Sequence, residues 1–142
     1  MDLMSLSSIF DTPRRIKNIL NKKNLYGKDI YFKKSHSFEK RKDESFRILQ
    51  KYPTRIPIIC ERANQNIQIL NRKKYLVPDD LTMGNFMFVI RKRLYLAPEM
   101  AIYLFVNNKF INGSQPMNEI YEKNKDDDGF LYIHYSGEST FG

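Results

Sequence analysis

Arg55-Ile-Pro-Ile-Ile-Cys-Glu61 is an apolar run rich in β-branched residues, and such a run predicts a β-strand. Pro57 within it suits a strand with a free edge at that point, because proline cannot donate to a ladder. A polar loop through residues 64–66 leads to Arg72-Lys-Lys-Tyr-Leu-Val-Pro78, which combines charge with apolar bulk and ends at a second proline. The two strands and the loop between them predict a hairpin.

The chain after the hairpin predicts a helix, a strand, a short helix and a final strand. Thr82 is a suitable cap for the first of these helices. Five apolar residues recur in that helix at the spacing of one buried stripe: Met83, Phe86, Val89, Ile90 and Leu94. Residues 101–106 predict a strand buried on both faces, Pro116 opens the short helix, and the acidic turn Asp126-Asp-Asp-Gly129 precedes the last strand, over residues 130–135.

Two helical patterns precede the hairpin. Thr12 before Pro13 is a helix-start signal, and the residues that follow predict a short basic amphipathic helix. Such a helix can dock on the domain, lie on a membrane or stay disordered until bound. After a break at residues 35–37, a second helix is predicted to end before Pro53, and one face of it is marked by Phe38, Ser45, Ile48, Leu49 and Tyr52.

The predicted order is therefore strand, strand, helix, strand, short helix, strand, preceded by helices. A hairpin followed by a helix that crosses back onto a mixed sheet, with the last strand returning to the centre, is the β-grasp arrangement of ubiquitin-like domains. The element order thus predicts an α+β fold of this kind.

Length and composition fit one domain with a real core, because the chain has 142 residues of which 42% are hydrophobic. Its single cysteine, Cys60, cannot form an internal disulfide bond, which fits a reducing compartment. No apolar run reaches the roughly 18 residues that span a bilayer, and the first ten residues lack the basic lead of a secretory signal. We therefore expect a cytosolic protein.

The net charge of +8 is concentrated near the N-terminus: residues 1–51 hold 13 Lys and Arg against 6 Asp and Glu, and residues 52–142 hold 11 against 10. Such a bias commonly serves an acidic partner, which is a nucleic acid, an anionic membrane or an acidic protein surface. The alternative is that these cations are the solvated faces of helices.

The residue types that carry catalysis are sparse. Cys60 lies in an apolar strand and is better explained as a small buried hydrophobe than as a nucleophile. Two distant histidines, His36 and His134, do not make a zinc site, and the turn before Gly129 lacks the ligand spacing of a calcium loop. The sequence predicts no enzymatic activity, no metal and no cofactor.

The last residue of the sequence is Gly142, which follows a polar tail beginning at Ser136. Glycine has no side chain to obstruct a narrow enzyme channel, so a mobile tail ending there presents a carboxylate that other enzymes can activate. The alternative is that the terminus is merely disordered or trimmed.

An ordered series of short motifs resembles the autophagy ubiquitin-like modifiers, the family that includes GABARAP. The motifs are His36-x-Phe38-Glu-Lys-Arg41, Lys51-Tyr-Pro-x-Arg-x-Pro57, Lys73-Lys-Tyr-Leu-Val-Pro78, Leu81-Thr-x-Gly84, Phe86, Ile90-Arg-Lys-Arg93, Phe105-Val-Asn-Asn108, Gly129-Phe-Leu-Tyr132 and Ser139-Thr-Phe-Gly142. The resemblance covers residues 28–142 and implies a ubiquitin-like β-grasp domain with a four-stranded mixed sheet and two additional N-terminal helices. Residues 1–27 have no counterpart in short family members and form a basic extension.

The resemblance also implies a function. Gly142 would be joined to phosphatidylethanolamine by the activating and conjugating enzymes of autophagy, and the product would sit on autophagosomal or related membranes. The folded face would dock cargo receptors that carry an aromatic residue, two intervening residues and an aliphatic residue, usually with acids upstream.

A docking site follows if residues 74–78 form an exposed edge strand, because free backbone groups can pair with an extended peptide. Family positions imply a first pocket of Glu44, Ile48, Pro57, Leu76 and Phe130. They imply a second pocket of Tyr75, Val77, Leu81, Phe86 and Val89. Four cations would attract the acids of the peptide: Arg55, Lys73, Lys74 and Arg93. Tyr103 and Phe105 match positions that contact the conjugation machinery, although a buried strand needs aromatic residues in any case.

Two other functions remain open from the sequence. One is a basic nucleic-acid-binding β-grasp module that uses residues 14–51 and Arg91-Lys-Arg93, but its aromatic residues mostly follow buried periodicities instead of forming stacking platforms for bases. The other is reversible membrane affinity conferred by the N-terminal segment alone.

Overall fold

The computed structural model describes the backbone of residues 2–3 and all of residues 28–139. The helix expected after Thr12 and the tail glycine Gly142 lie outside these residues. In chain order the described elements are β1 (Asp2–Leu3), α1 (Phe32–Ser35), α2 (Phe38–Lys51), β2 (Arg55–Arg62), β3 (Lys74–Pro78), α3 (Met83–Leu94), β4 (Tyr103–Val106), β5 (Lys109–Phe110), α4 (Met117–Asn124) and β6 (Leu131–Ser136).

The sheet has the strand order β1-β3-β2-β6-β4-β5 over the described residues. β2 and β3 form the expected antiparallel hairpin, and β6 lies between β2 and β4, parallel to the first and antiparallel to the second. The ubiquitin-like β-grasp is thereby confirmed. The expectation of four strands omits β1 and β5, which have two residues each and extend the two edges of the sheet.

α3 begins at its predicted cap, Thr82, and α2 begins directly after the predicted break, with Ser37 as its cap. The Ser37 side chain accepts a hydrogen bond from the Lys40 amide at 3.3 Å, and the Thr82 hydroxyl accepts one from the Asn85 amide at 3.2 Å. Each cap satisfies an amide that has no partner within its own helix. The ends of α2 and α3 therefore follow from local sequence.

The acidic turn before β6 is also confirmed. The Gly129 amide donates to the Asp126 carbonyl at 2.9 Å, and Gly129 has φ of 91°. A Cβ at this position would lie 2.3 Å from the Ser45 hydroxyl, so both the backbone conformation and the space require glycine. The turn holds the start of β6 against α2.

The two faces of the sheet are covered by different helices. Ile56, Ile58 and Cys60 alternate along β2 into the large core cluster that includes apolar residues of α3 and α4. Ile59 points to the opposite face, where it packs with Phe32 of α1, Phe130 and the half-buried Ile48 of α2. Because side chains alternate along a strand, the two separate apolar clusters lie on opposite faces of the sheet beside β2.

Among the described residues, no helix combines the length and the apolar character needed to cross a bilayer.

Candidate functional site

The backbone of β3 directs alternate residues toward its two neighbours. The Cys60 amide donates to the Lys73 carbonyl at 2.8 Å, and the register pairs Ile58 with Tyr75. Because hydrogen-bonded and non-hydrogen-bonded pairs alternate in an antiparallel ladder, Tyr75 and Val77 bond to β2. The amide and carbonyl groups of Lys74 and Leu76 therefore point to the outer edge.

This outer edge is not free along its whole length, which corrects the expectation of an exposed edge strand. β1 lies beside β3 in parallel register, with Asp2 opposite Tyr75 and Leu3 opposite Leu76. Leu76 is only 1% exposed. Periodicity could not reveal this pairing, because a strand of two residues has too few positions to show an alternation.

The residues predicted for the first pocket come together on the face covered by α1 and α2. Phe130 is fully buried, and Pro57 and Leu76 are also buried. Ile48 and Glu44 lie half-buried on α2. Phe32, which sequence reasoning did not select, meets Phe130 edge to face at 5.4 Å between ring centroids.

Two open grooves flank Phe32 at the surface of this pocket. One, of about 620 Å³, runs beside Ile30, Ile69, Lys73 and Lys74, and the other, of about 340 Å³, runs beside Glu44 and Ile48. Phe32 lines both grooves. Phe32 is only 1% exposed, so each groove reaches down to the apolar cluster of Phe32, Ile59 and Phe130.

An ion pair bridges β3 and α2 across this surface. The Lys74 ammonium lies 2.7 Å from a Glu44 carboxylate oxygen and 5.1 Å from the centre of the Phe32 ring. Both side chains of the pair are about one third exposed, so the pair has a modest effect on stability and is open to competition from another carboxylate.

Most of the residues predicted for the second pocket lie on the opposite face of the sheet, in or against the large core cluster. Tyr75, Val77, Phe86 and Val89 are all fully buried. Leu81 packs against them from the surface and is half-buried. The Tyr75 and Phe86 rings meet edge to face at 5.7 Å. Of the five predicted residues, Leu81 is the one that is not fully buried.

The other predicted cations also lie close to the β3 edge. A guanidinium nitrogen of Arg55 donates to the outward Leu76 carbonyl at 3.4 Å. Lys73 donates to the Ile30 carbonyl and lies 3.3 Å from Glu61. Arg93 stacks over the Tyr75 ring at 5.8 Å. Four cations therefore lie along this edge, and two of them, Lys73 and Lys74, are paired with carboxylates.

The two residues predicted to contact the conjugation machinery lie at the far side of the sheet, in β4. Phe105 is buried and Tyr103 is half-buried. Both rings lie near the exposed Phe110 of β5, at 6.3 and 6.4 Å between centroids. They are therefore remote from the docking edge. Gly142 is outside the described residues, and the last described ones, Glu138 and Ser139, are exposed.

The single cysteine is enclosed by the core. Cys60 is fully buried in β2, and burial raises the pKa of its thiol well above the usual value, with a further contribution from the charge of Glu61. A thiol in this position is neither ionised nor reachable. Within the described part of the chain, no cluster of His, Cys, Asp and Glu could hold a metal ion.

Several cations of the proposed nucleic-acid surface are engaged within the protein. Lys33 pairs with Asp126 at 2.6 Å and Arg41 with the buried Asp128 at 2.5 Å. Arg91 donates to the carbonyls of Met100 and of two nearby residues in the loop after α3. These contacts explain the basic residues by local structure and disfavour a surface that tracks a phosphate backbone.

Fold and edge together define a class of protein. The domain has the β2–β3 hairpin, the helix α3 across the sheet and a central last strand, β6, that runs parallel to β2. Two helices, α1 and α2, precede the hairpin. This arrangement is a ubiquitin-like domain extended at its N-terminus. The family described as "Autophagy protein Atg8 ubiquitin like" matches residues 40–142. The chain belongs to this family, the ubiquitin-like modifiers of autophagy.

Individual relatives agree with this assignment. The chain is 59% identical over 112 residues to autophagy-related protein 8 of Mycosarcoma maydis, and the matched region covers 78% of this chain and 95% of the relative. It is 57% identical over 112 residues to the protein of the same name from Coccidioides immitis, covering 78% and 96%.

Solved structures agree as well. The crystal structure of Trypanosoma brucei ATG8 superimposes with a TM-score of 0.73 at 47% identity, over 81% of this chain and 100% of that one. Plasmodium falciparum Atg8, in complex with a peptide of Plasmodium falciparum Atg3, gives a TM-score of 0.73 at 40% identity, over 78% and 98%.

Proposed function

We propose that this chain is joined through the carboxylate of Gly142 to the amine of phosphatidylethanolamine and then acts as a membrane-attached adaptor. In this function it is a cytoplasmic protein that, once lipidated, resides on autophagosomal membranes and recruits cargo receptors. Membership of the Atg8 family and the glycine at position 142 support the conjugation.

The chemistry makes the chain a substrate of enzymes. A carboxylate is a poor electrophile, so ATP must first convert it to an acyl adenylate with release of pyrophosphate. An enzyme cysteine then forms a thioester and releases AMP, and attack by the lipid amine gives an amide and returns the thiol. Cys60 is fully buried and cannot serve as that thiol, so the activating and conjugating enzymes must supply it. The Plasmodium falciparum relative bound to an Atg3 peptide supports partners of this kind.

The observation that carries the docking function is the position of the β3 edge between two apolar clusters. Tyr75 and Val77 belong to the cluster with Phe86. Leu76 lies between them in β3, so its side chain points to the opposite face of the sheet, which is the face of Phe32 and Phe130. Side chains three positions apart on a strand point to opposite faces, because the alternation has period two. A peptide paired with β3 therefore places the aromatic and the aliphatic residue of its motif in different clusters.

This geometry gives a direct test with two acidic peptides of the same composition. One carries the aromatic and aliphatic residues three positions apart, and the other carries them two positions apart, which puts both on one face. We expect the first to bind and the second to bind at least about tenfold more weakly, as measured by fluorescence anisotropy, since one anchor is lost. Equal affinities would contradict strand pairing at this edge.

Conjugation is tested by reconstitution with the activating and conjugating enzymes of the family, ATP and liposomes that contain phosphatidylethanolamine. Mass spectrometry should find the lipid on Gly142, and Gly142→Ala should abolish the adduct. Ser139→Ala, in the same tail, is the matched control and should be lipidated normally. Undiminished lipidation of Gly142→Ala would exclude the proposed attachment site.

A further inference from the structure

The N-terminal strand of this chain occupies the backbone groups that a docked peptide would use. A residue in a parallel ladder bonds to the two residues that flank its partner on the neighbouring strand. Asp2 is opposite Tyr75, so the flanking residues are Lys74 and Leu76. These two residues carry the outward groups of β3, as the hydrogen bonding of β2 and β3 requires. Asp2 therefore uses the same donor and acceptor.

This strand comes from a part of the chain that the relatives do not share. The family match begins at residue 40. The relative from Mycosarcoma maydis is covered over 95% of its length while only 78% of this chain is matched. Residues 2–3 thus precede the part of the chain that matches the family, yet they pair with the β3 edge of that part.

We propose that the N-terminal extension is an intramolecular competitor of partner peptides, with the backbone groups of Asp2 as its hydrogen-bonding contact with the β3 edge. The inference rests on the proposed docking of peptides at β3. Lys74 and Leu76 each have one outward amide and one outward carbonyl, so β1 and a peptide strand exclude each other. A partner binds only to the fraction of molecules in which β1 has left the edge, and its apparent Kd rises by the inverse of that fraction.

Covalent linkage fixes the local concentration of this competitor. The extension is present at every edge at a concentration set by the intervening residues 4–27, whatever the concentration of the protein. Two ladder hydrogen bonds correspond to roughly 5- to 150-fold in an equilibrium constant. The entropy of ordering two residues offsets part of this factor, so we expect β1 to raise the apparent Kd of a peptide by a factor near the lower end of this range, about fivefold.

Two proline substitutions one residue apart test the proposal in the full-length chain. Asp2→Pro removes the amide that points to Lys74 and places a ring against β3, whereas the amide of Leu3 points away from β3, so Leu3→Pro leaves the pairing in place. The probe is the acidic peptide with anchors three positions apart. We expect Asp2→Pro to bind it about fivefold more tightly than the unmodified chain, and Leu3→Pro to bind it with unchanged affinity.

Amide hydrogen exchange gives a second measurement that needs no peptide. The Leu76 amide points to β1 and the Tyr75 amide to β2, so Asp2→Pro should accelerate exchange at Leu76 and leave Tyr75 protected. Unchanged peptide affinity together with unchanged exchange at Leu76 would overturn the competition and leave peptide docking intact. If neither the unmodified chain nor Asp2→Pro binds the peptide, the proposal that peptides dock at β3 is wrong, and so is the proposal of competition.

Discussion

Reversing the charge of Lys74 should weaken the docking of acidic peptides without unfolding the protein. In Lys74→Glu, the cation that lies 2.7 Å from Glu44 and 5.1 Å from the Phe32 ring is replaced by a carboxylate. Both partners of the ion pair are about one third exposed, and a pair of this kind contributes at most about 1 kcal/mol to stability. The domain therefore stays folded at room temperature.

The effect on binding is larger because it involves a change of two charge units. A peptide acid about 6 Å from this position interacts with one unit charge by roughly 0.7 kcal/mol at the dielectric constant of water. Two units give about 1.4 kcal/mol, which is about tenfold in Kd. The loss should shrink in 1 M salt, where the screening length falls to about 3 Å.

The assay is anisotropy of a labelled acidic peptide at low and high salt, with Lys109→Glu as the matched control. Lys109 lies in β5, at the opposite edge of the sheet, and its reversal changes the net charge by the same amount. Only Lys74→Glu should cause the tenfold loss. An equal loss in Lys109→Glu, or a loss in Lys74→Glu that persists in 1 M salt, would refute a local Coulombic attraction at β3.

Two further predictions concern stability. Asp29→Ala removes the carboxylate that lies 2.8 and 3.0 Å from the buried guanidinium of Arg62, and urea unfolding should show a loss of stability of about 3 kcal/mol. The control Lys28→Ala, at the exposed neighbouring position, should change stability by less than about 0.5 kcal/mol, and similar losses in both variants would contradict the importance of the ion pair. Burial lowers the pKa of His134, so the unfolded chain binds this proton at a higher pH than the folded chain, and stability should decline as the pH falls from about 6.5 through the folded pKa. His134→Asn should flatten that slope in urea unfolding measured across this pH range, and an unchanged slope would assign the effect to another group.

The larger elements could be predicted because their signals are local. The caps at Ser37 and Thr82 and the buried stripe that begins at Met83 lie within the helices they define, and the apolar run of β2 needs no distant partner to be recognised. The pair Asn107-Asn108 directly before β5 is also a local signal, because asparagine tolerates the positive φ that a two-residue hairpin turn requires. Asn107 and Asn108 both have positive φ, at 51° and 64°, which is the conformation of a type I′ hairpin turn.

The occupied edge could not be predicted from local pattern. β1 has two residues, and its partner Leu76 is more than seventy positions away in the sequence. Phe32 was missed for a related reason, since α1 is a single turn and shows no periodicity. Family positions did identify the cluster around Phe130, but they said nothing of Phe32 or of the segment that lies against the edge.

The charge around β3 also bears on which strands this edge accepts. Unpaired sheet edges tend to pair with each other, and natural proteins discourage this with lysines placed at the edge. A second copy of this chain aligned along β3 would bring its own Lys73 and Lys74 close to those of the first, and like charges in contact oppose such a pair. An acidic peptide meets attraction at the same residues. The cations that we assign to peptide recognition therefore also disfavour edge-to-edge association between copies.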